Sequence, residues 1–333
     1  MRFLITGHTG FKGSWLVYML KMQGHEVHGI SLKPERISLF NQANIKKFMD
    51  GNYFQDIRDQ KKLNKIVRKI SPEIIIHLAA QPLVRFSYLD PIGTYETNVL
   101  GTLNILESTR KLDNLKATLI ITTDKVYKNK NQMTGYSEEN ELGGEDPYSS
   151  SKAAADIATQ SWRTSFGRTP ISIARAGNVI GGGDWAKDRI IPDLVNNISN
   201  NKTLILRNPS AIRPWQHVLD CLNGYLKLIE HQIEFGTNEE WNFGPVEGES
   251  KTVEELVKIF SSTWGTSLST EYQSSNLKES SLLLLDSKKS RDKLQWADKL
   301  TFEQSIQWTV DWYKDSNPEI ITQKQIRNFL ELN

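Results

Sequence analysis

The sequence predicts an α/β protein: a doubly wound parallel sheet with a second, smaller α/β lobe. Three observations predict it. A short apolar strand at 2–6 runs directly into the turn Gly7-His8-Thr9-Gly10-Phe11-Lys12-Gly13 and then into a helix. The runs 73–78 and 119–123 are apolar without alternation, as strands covered by helices on both faces must be. Tyr148 and Lys152 stand four residues apart in an alanine-rich segment, where one helical turn brings them to one face.

Composition sets the limits first. A chain of 333 residues has room for two lobes and an ample core. Its hydrophobic fraction of 38% and charged fraction of 24% are those of an ordinary soluble protein. A formal charge of +2 with dispersed lysines argues against a nucleic-acid partner. The single cysteine, Cys221, excludes an internal disulfide and fits a reducing compartment. No apolar run approaches membrane-spanning length, and the start lacks the apolar stretch of a signal peptide. The histidines show no zinc spacing. A cytoplasmic, metal-free protein is expected.

Taken in order, the glycine turn is followed by a helix at 14–23 and a second strand at 26–32. Glycines there let backbone amides approach a pyrophosphate at a helix N-terminus, where the dipole favours an anion. The spacing is GxxGxxG, and the acidic residue that should close the second strand on a ribose is absent. Ser31 can take its place, or Lys33 and Arg36 can admit a ribose phosphate, so the residues leave NAD and NADP both open. Asp56-Ile57 follows the third strand. The fourth ends in Ala79-Ala80-Gln81, small residues against which a flat cofactor can lie. A long helix is expected over 94–111, carrying Asn98 and Gly101. The strand at 119–123 delivers Thr123-Asp124-Lys125 to the carboxyl edge of the sheet, where open α/β sheets bind ligands.

Asp146-Pro147-Tyr148 then opens the helix that carries Lys152. An ammonium beside a phenol favours the phenolate, which predicts a Tyr148 pKa lowered toward neutrality and a group able to exchange a proton with an alcohol. Ten tyrosines would give about one such spacing by chance, so the pair counts only with a nucleotide site ahead of it. After a strand at 171–175, the glycines 181–183 predict a flexible turn that brings backbone near a substrate. Helices follow at 190–200 and from 218 to 231, the second preceded by Arg213-Pro-Trp-Gln-His217. A strand at 241–245 should return to the sheet, and 252–264 and 301–314 read as amphipathic helices.

Five segments together carry a resemblance: 6–15 (TGHTGFKGSW), 80–85 (AQPLVR), 122–127 (TTDKVY), 174–185 (ARAGNVIGGGDW) and 213–217 (RPWQH). With the Tyr148/Lys152 pair, the chain resembles the Rossmann-like extended short-chain dehydrogenases/reductases along nearly its whole length. Within them it resembles the nucleotide-sugar 4,6-dehydratases, nearest those acting on CDP-glucose. The resemblance implies NAD as cofactor and a CDP-sugar as substrate. It implies a cofactor site of Gly7, Thr9, Gly10, Phe11, Lys12, Gly13, Asp56, Ile57, Ala79, Ala80, Gln81, Asn98, Tyr148 and Lys152. Val84, Arg85, Ser87, Asn178, Arg189, Arg213, Tyr272 and Glu279 are implied for the substrate, with Asn178, Arg189 and Arg213 at its diphosphate. The catalytic set is Thr123, Asp124, Lys125, Tyr148 and Lys152.

The implied division places the dinucleotide on 1–177 with 214–245, and the nucleotide sugar on 178–213 with 246–333. The implied reaction oxidises carbon 4, eliminates water across carbons 5 and 6, and returns the hydride to carbon 6. Oxidation comes first because a sugar C–H at carbon 5 is too weak an acid until carbon 4 is a ketone. The acid that protonates the leaving hydroxyl is Asp124. Many 4,6-dehydratases place a glutamate next as the carbon 5 base, and this chain has Lys125 there, which can act as a base only when neutral. The helices at 94–111 and 149–166 suggest a homodimer or homotetramer. An epimerase or reductase of the same fold, and a non-catalytic NAD(P)-sensing protein, are the alternatives.

Overall fold

Strands without polar alternation bury both faces, and seven of them here form one parallel sheet. The computed structural model describes residues 1–273 and 282–332. The sheet is built from β1 (Arg2–Thr6), β2 (Glu26–Ser31), β3 (Gly51–Phe54), β4 (Ile74–His77), β5 (Ala117–Ile121), β6 (Ile171–Ala176) and β7 (Glu240–Phe243), in the order β7-β6-β5-β4-β1-β2-β3. All pairings are parallel. The winding reverses between β1 and β4, which places a crevice at their carboxyl ends. β7 is the returning strand that the sequence predicts, and it closes the edge on β6.

Apolar cores fill the two faces. Helix α1 (Phe11–Met22) lays Trp15, Leu16 and Met19 against the sheet beside Leu222, Tyr225 and Trp241, while Leu63, Val67 and Ile105 cover Leu4, Ile30 and Ile75 on the other face. A third core joins Leu194, Leu204, Leu256, Phe260 and Ile306, from the expected second lobe. Its helices Val253–Trp264 and Phe302–Lys314 both start with capping boxes, Thr252 with Glu255 and Thr301 with Gln304.

The expected helix over 94–111 differs in detail. It runs from Pro91 as Pro91–Tyr95, one wide π turn at Glu96–Leu100, and Gly101–Thr109. The wide turn coincides with Asn98, whose side chain faces inward to Gln81 and Ser151. The glycines 181–183 are not a loose turn. A side chain on Gly182 would collide with the Trp312 ring, and Gly183 holds a φ of +80° against Leu39. They are glycines because bulky residues lie on them.

Helix α2 (Pro147–Phe166) starts as the sequence predicts, with the Asp146 side chain accepting from Ser149 N–H and proline in the first turn. It is locked down by a buried ion pair. Arg175 on β6 donates from Nη2 and Nε to the two carboxylate oxygens of Asp156, each at 2.8 Å, and both side chains are at most 1% exposed. Arg175 also donates to the Tyr127 hydroxyl and the Glu138 carbonyl. Among the described residues no helix is long and apolar enough to cross a membrane, and no cluster of His, Cys, Asp or Glu is placed to hold a metal ion.

Arg175→Met leaves the Asp156 carboxylate buried without its partner, and about 3–5 kcal/mol of stability should be lost in urea unfolding. Adding Asp156→Leu removes the orphaned charge and should recover most of that loss. Two single variants whose costs simply add would contradict the coupling.

Candidate active site

The site is a cavity of about 610 Å³ across the carboxyl ends of β1, β4, β5 and β6. One arm begins at the glycine turn. Gly7 has a φ of +76°, and a Cβ there would stand 2.7 Å from the Ala79 backbone nitrogen. A Cβ on Gly13 would stand 2.2 Å from the Gly7 carbonyl oxygen. Only glycine lets the turn fold onto itself and onto the end of β4. The N-terminus of α1 behind it has no side-chain cap and no acidic residue in its first turn, so its free amides and dipole suit an anion. Thr9, Gly10, Phe11 and Lys12 line this arm, as do Asp56, Ile57, Ala79 and Ala80 further along.

At the end of β2, the Thr9 hydroxyl bonds the Ser31 hydroxyl at 2.7 Å and donates to the Leu32 carbonyl. Ser31 lines the cavity in the place of the absent acidic residue; Lys33 and Arg36 are exposed and do not line it. Arg58, paired with Asp56, is a lining residue that the sequence reading passed over, because nothing in its spacing marks it.

The reactive groups meet at the centre. Thr123 caps a short turn after β5, accepting from Lys125 N–H, and donates its hydroxyl proton to Asp124 Oδ1 at 2.9 Å. The same hydroxyl can turn its proton to the Tyr148 phenolate instead, which favours that form. Asp124 is 1% exposed, and its Oδ2 has no hydrogen-bond partner. That oxygen faces a cavity-lining position, so a substrate hydroxyl can meet it there. Lys125 lines the same wall.

Lys152 lies one turn beyond Tyr148, but its Nζ donates to the Ile121 carbonyl at 3.0 Å. Burial lowers its pKa to about 8, with the nearby Lys12 charge acting in the same direction. The Tyr148 phenol departs from the sequence expectation. Burial pushes it up to about 12, against the Thr123 hydrogen bond and the Arg189 charge, which favour the phenolate. Desolvation outweighs the neighbouring charges here, and the Lys152 ammonium is turned to a carbonyl.

The second arm is lined by Val84, Arg85, Asn178, Arg189 and Arg213. Arg189 pairs with the buried Asp184 at 2.9 Å, which raises its pKa further, and Arg85 approaches Asp188 at 3.5 Å. Asp193, Arg207, Asn208 and Trp215 also line this arm; the sequence reading weighed Trp215 and missed the others.

Several expected contact residues stand elsewhere. Ser87 does not line the cavity: its hydroxyl donates to the Val84 carbonyl at 2.6 Å and accepts the Tyr148 backbone N–H at 3.1 Å. Gln81 and Asn98 likewise brace rather than line. Gln81 N–H donates to Asn98 Oδ1, and the Asn98 amide donates to the Gln81 carbonyl and to Ser151. Tyr272 is 62% exposed, with its phenol donating to Glu254 outside the cavity. Glu279 lies outside the described residues.

Comparison with known proteins agrees with this geometry. A CDP-glucose 4,6-dehydratase of Salmonella typhimurium is 40% identical, covering 99% of this chain and 96% of that protein. A dTDP-glucose 4,6-dehydratase of Haemophilus influenzae is 28% identical over 94% of this chain and 98% of its own length. Among solved structures, a dTDP-glucose 4,6-dehydratase from Bacillus anthracis in complex with NAD superposes with a TM-score of 0.82 at 27% identity, covering 95% of this chain and 97% of that one. The Streptomyces venezuelae dTDP-glucose 4,6-dehydratase with NAD bound gives 0.83 at 25%, covering 95% and 98%. The family model described as GDP-mannose 4,6 dehydratase matches residues 4–309, and the chain belongs to that family.

Proposed function

We propose that the protein is an NAD-dependent nucleotide-sugar 4,6-dehydratase acting on CDP-glucose, a lyase that releases water and yields CDP-4-dehydro-6-deoxy-glucose. The observation that carries the reading is the string Tyr148–Thr123–Asp124, ending in a buried carboxylate oxygen without a partner. A reductase or epimerase has no use for that acid. The 40% identity to the Salmonella enzyme favours the CDP base.

The glycine turn and the α1 N-terminus would hold NAD, with Asp56 and Ile57 at its adenine, and bound NAD would supply a positive charge and a hydride acceptor that gives the carbon 4 hydride back at carbon 6. Tyr148 takes the proton of the carbon 4 hydroxyl, with Thr123 bonded to the same phenol. With carbon 4 a ketone, the carbon 5 proton becomes acidic enough to remove; neutral Lys125, on the cavity wall, takes it and returns it to carbon 5 once water has left. Asp124 gives a proton to the carbon 6 hydroxyl, which leaves as water. The string through Thr123 gives the proton released at carbon 4 a hydrogen-bonded path to that carboxyl. Asn178, Arg189 and Arg213 hold the diphosphate. The dinucleotide is assigned to 1–177 with 214–245, and the nucleotide sugar to 178–213 with 246–333 together with Val84, Arg85 and Trp215 from the first unit.

The enzyme works in the cytoplasm as a homodimer or homotetramer. Its contact faces are the helices at 91–109 and Pro147–Phe166, which leave Ile92, Leu100 and Ile157 more than half exposed.

Purified protein incubated with NAD and, separately, CDP-, dTDP- and UDP-glucose and UDP-GlcNAc should give the base-induced absorbance of a 4-keto sugar with CDP-glucose first. Light scattering on the same sample should give a dimer or larger. Equal rates on all four sugars would remove the base assignment, and a 4-epimer as sole product would replace the dehydratase with an epimerase.

Exchange of the carbon 5 proton with solvent deuterium isolates Lys125. Lys125→Glu should retain the exchange and Lys125→Met should reduce it by on the order of a hundredfold. Exchange in the methionine variant equal to wild type would take Lys125 out of the mechanism.

A further inference from the structure

Asp184, Asp188 and Asp193 line the second arm of the cavity, and the first two are matched by cations. Arg189 pairs with Asp184 at 2.9 Å, and Arg207 pairs with Asp188 at 3.0 Å. Asp193 differs: among the described residues its carboxylate accepts no hydrogen bond and forms no ion pair. Burial raises its pKa to about 6 although the Arg207 charge pulls the other way, so it is ionised at neutral pH. A half-buried carboxylate is costly in an arm whose arginines serve a diphosphate, because it repels the phosphates and is poorly hydrated. It is tolerated when the occupant brings a hydrogen-bond donor to it.

Asp193 stands in the first turn of the helix Ile190–Ser199, which Arg189 opens. Its backbone N–H donates to the Arg189 carbonyl at 3.1 Å, so the two side chains lie one turn apart on one side of the helix. Arg189 is the cation of this arm that acts on the Tyr148 phenol, so the next turn lies toward the nucleoside. The strand Leu204–Leu206 packs beside this helix through Leu194, Leu204 and Leu206. Asn208, two residues past the strand, lines the arm as well. Its Oδ1 accepts from the Ser210 hydroxyl at 3.4 Å, and among the described residues its NH2 donates to no protein group. An acceptor and a donor are thus offered to one ligand.

We infer that Asp193, with Asn208, reads the nucleobase and selects cytosine over uracil and thymine. The inference rests on the nucleotide-sugar reading and deepens it. Cytosine presents an exocyclic amine as donor, with the ring N3 and O2 as acceptors; uracil and thymine carry a carbonyl oxygen where that amine stands. A carboxylate accepts from the amine and repels the carbonyl, and a site built for a donor rejects the analogue that lacks it. The Asn208 amide donates to N3 or O2. Ribose hydroxyls are donors too, and an acid in the first turn suits the helix dipole, but neither duty tells one base from another.

Calorimetric titration of the full-length protein with CDP, UDP and dTDP tests this. The wild type should bind CDP on the order of tenfold or more tighter than UDP or dTDP. In Asp193→Asn, whose amide can accept or donate, CDP should weaken and UDP should tighten, leaving the two within about twofold. Asn208→Asp turns a donor into an acceptor and should weaken CDP while sparing UDP, which keeps the test open should the first variant fold poorly. NAD titration of the same samples reports on folding, since the other arm is assigned to the dinucleotide. A CDP preference that survives in Asp193→Asn, or an equal loss on both bases, would overturn the inference alone and leave Asp193 to the ribose or the helix. A wild type that binds neither CDP nor UDP would remove the nucleotide-sugar reading and the inference with it.

Discussion

The buried pair of Arg175 and Asp156 fixes where chemistry can happen in this fold. Asp156 lies one turn past Lys152, so anchoring it sets the rotation of the whole helix Pro147–Phe166 on the sheet. The same carboxylate accepts from Thr122, the residue before Thr123, and the same guanidinium bonds Tyr127, just beyond Lys125. One knot therefore ties β6, the turn after β5 and the helix with Tyr148, and the reactive side chains hang from its three strands. Two charges removed from water add little net stability by themselves. What they contribute is register, since a bidentate fork tolerates only one arrangement of helix and strand.

The second constraint is burial. It acts on Tyr148 and Lys152 in opposite directions and favours the neutral form of each. A cavity built only of apolar walls would leave an inert phenol beside a weakened ammonium. The polar residues around it oppose that: Thr123 and Arg189 favour the phenolate, and Asp184 keeps Arg189 in place. The bracing residues serve the same end from behind. Ser87 holds the Tyr148 backbone, and the Gln81–Asn98–Ser151 set ties the end of β4 to the same helix.

What could be read from the sequence was what short spacing encodes. The glycine turn, the strand-end Thr123-Asp124 and the Tyr148/Lys152 pair are each local, and each lines the cavity. Ser87, Gln81 and Asn98 were placed near the site but given contacts with ligands, because a sequence does not tell a side chain facing a cavity from one facing a neighbouring helix. The glycines 181–183 suggest flexibility in the sequence and mark close packing in the fold, since the residue over Gly182 is Trp312, more than a hundred positions away. The hydrogen bond from Lys12 to Tyr225 spans 213 residues and leaves no pattern in the sequence. The Tyr148 pKa departs from the sequence expectation for a related reason: spacing shows that Lys152 is a neighbour, and not that its ammonium is turned to Ile121.

The role proposed for Asp124 is to deliver a proton to the departing carbon 6 hydroxyl. Fluoride leaves without being protonated, so a CDP-glucose carrying fluorine in place of that hydroxyl separates acid catalysis from every other duty of the residue. Asp124→Asn should lose turnover of CDP-glucose by on the order of a hundredfold or more while releasing fluoride from the 6-fluoro substrate at close to the wild-type rate. An equal loss on both substrates would contradict the acid role and make Asp124 a structural member of the site.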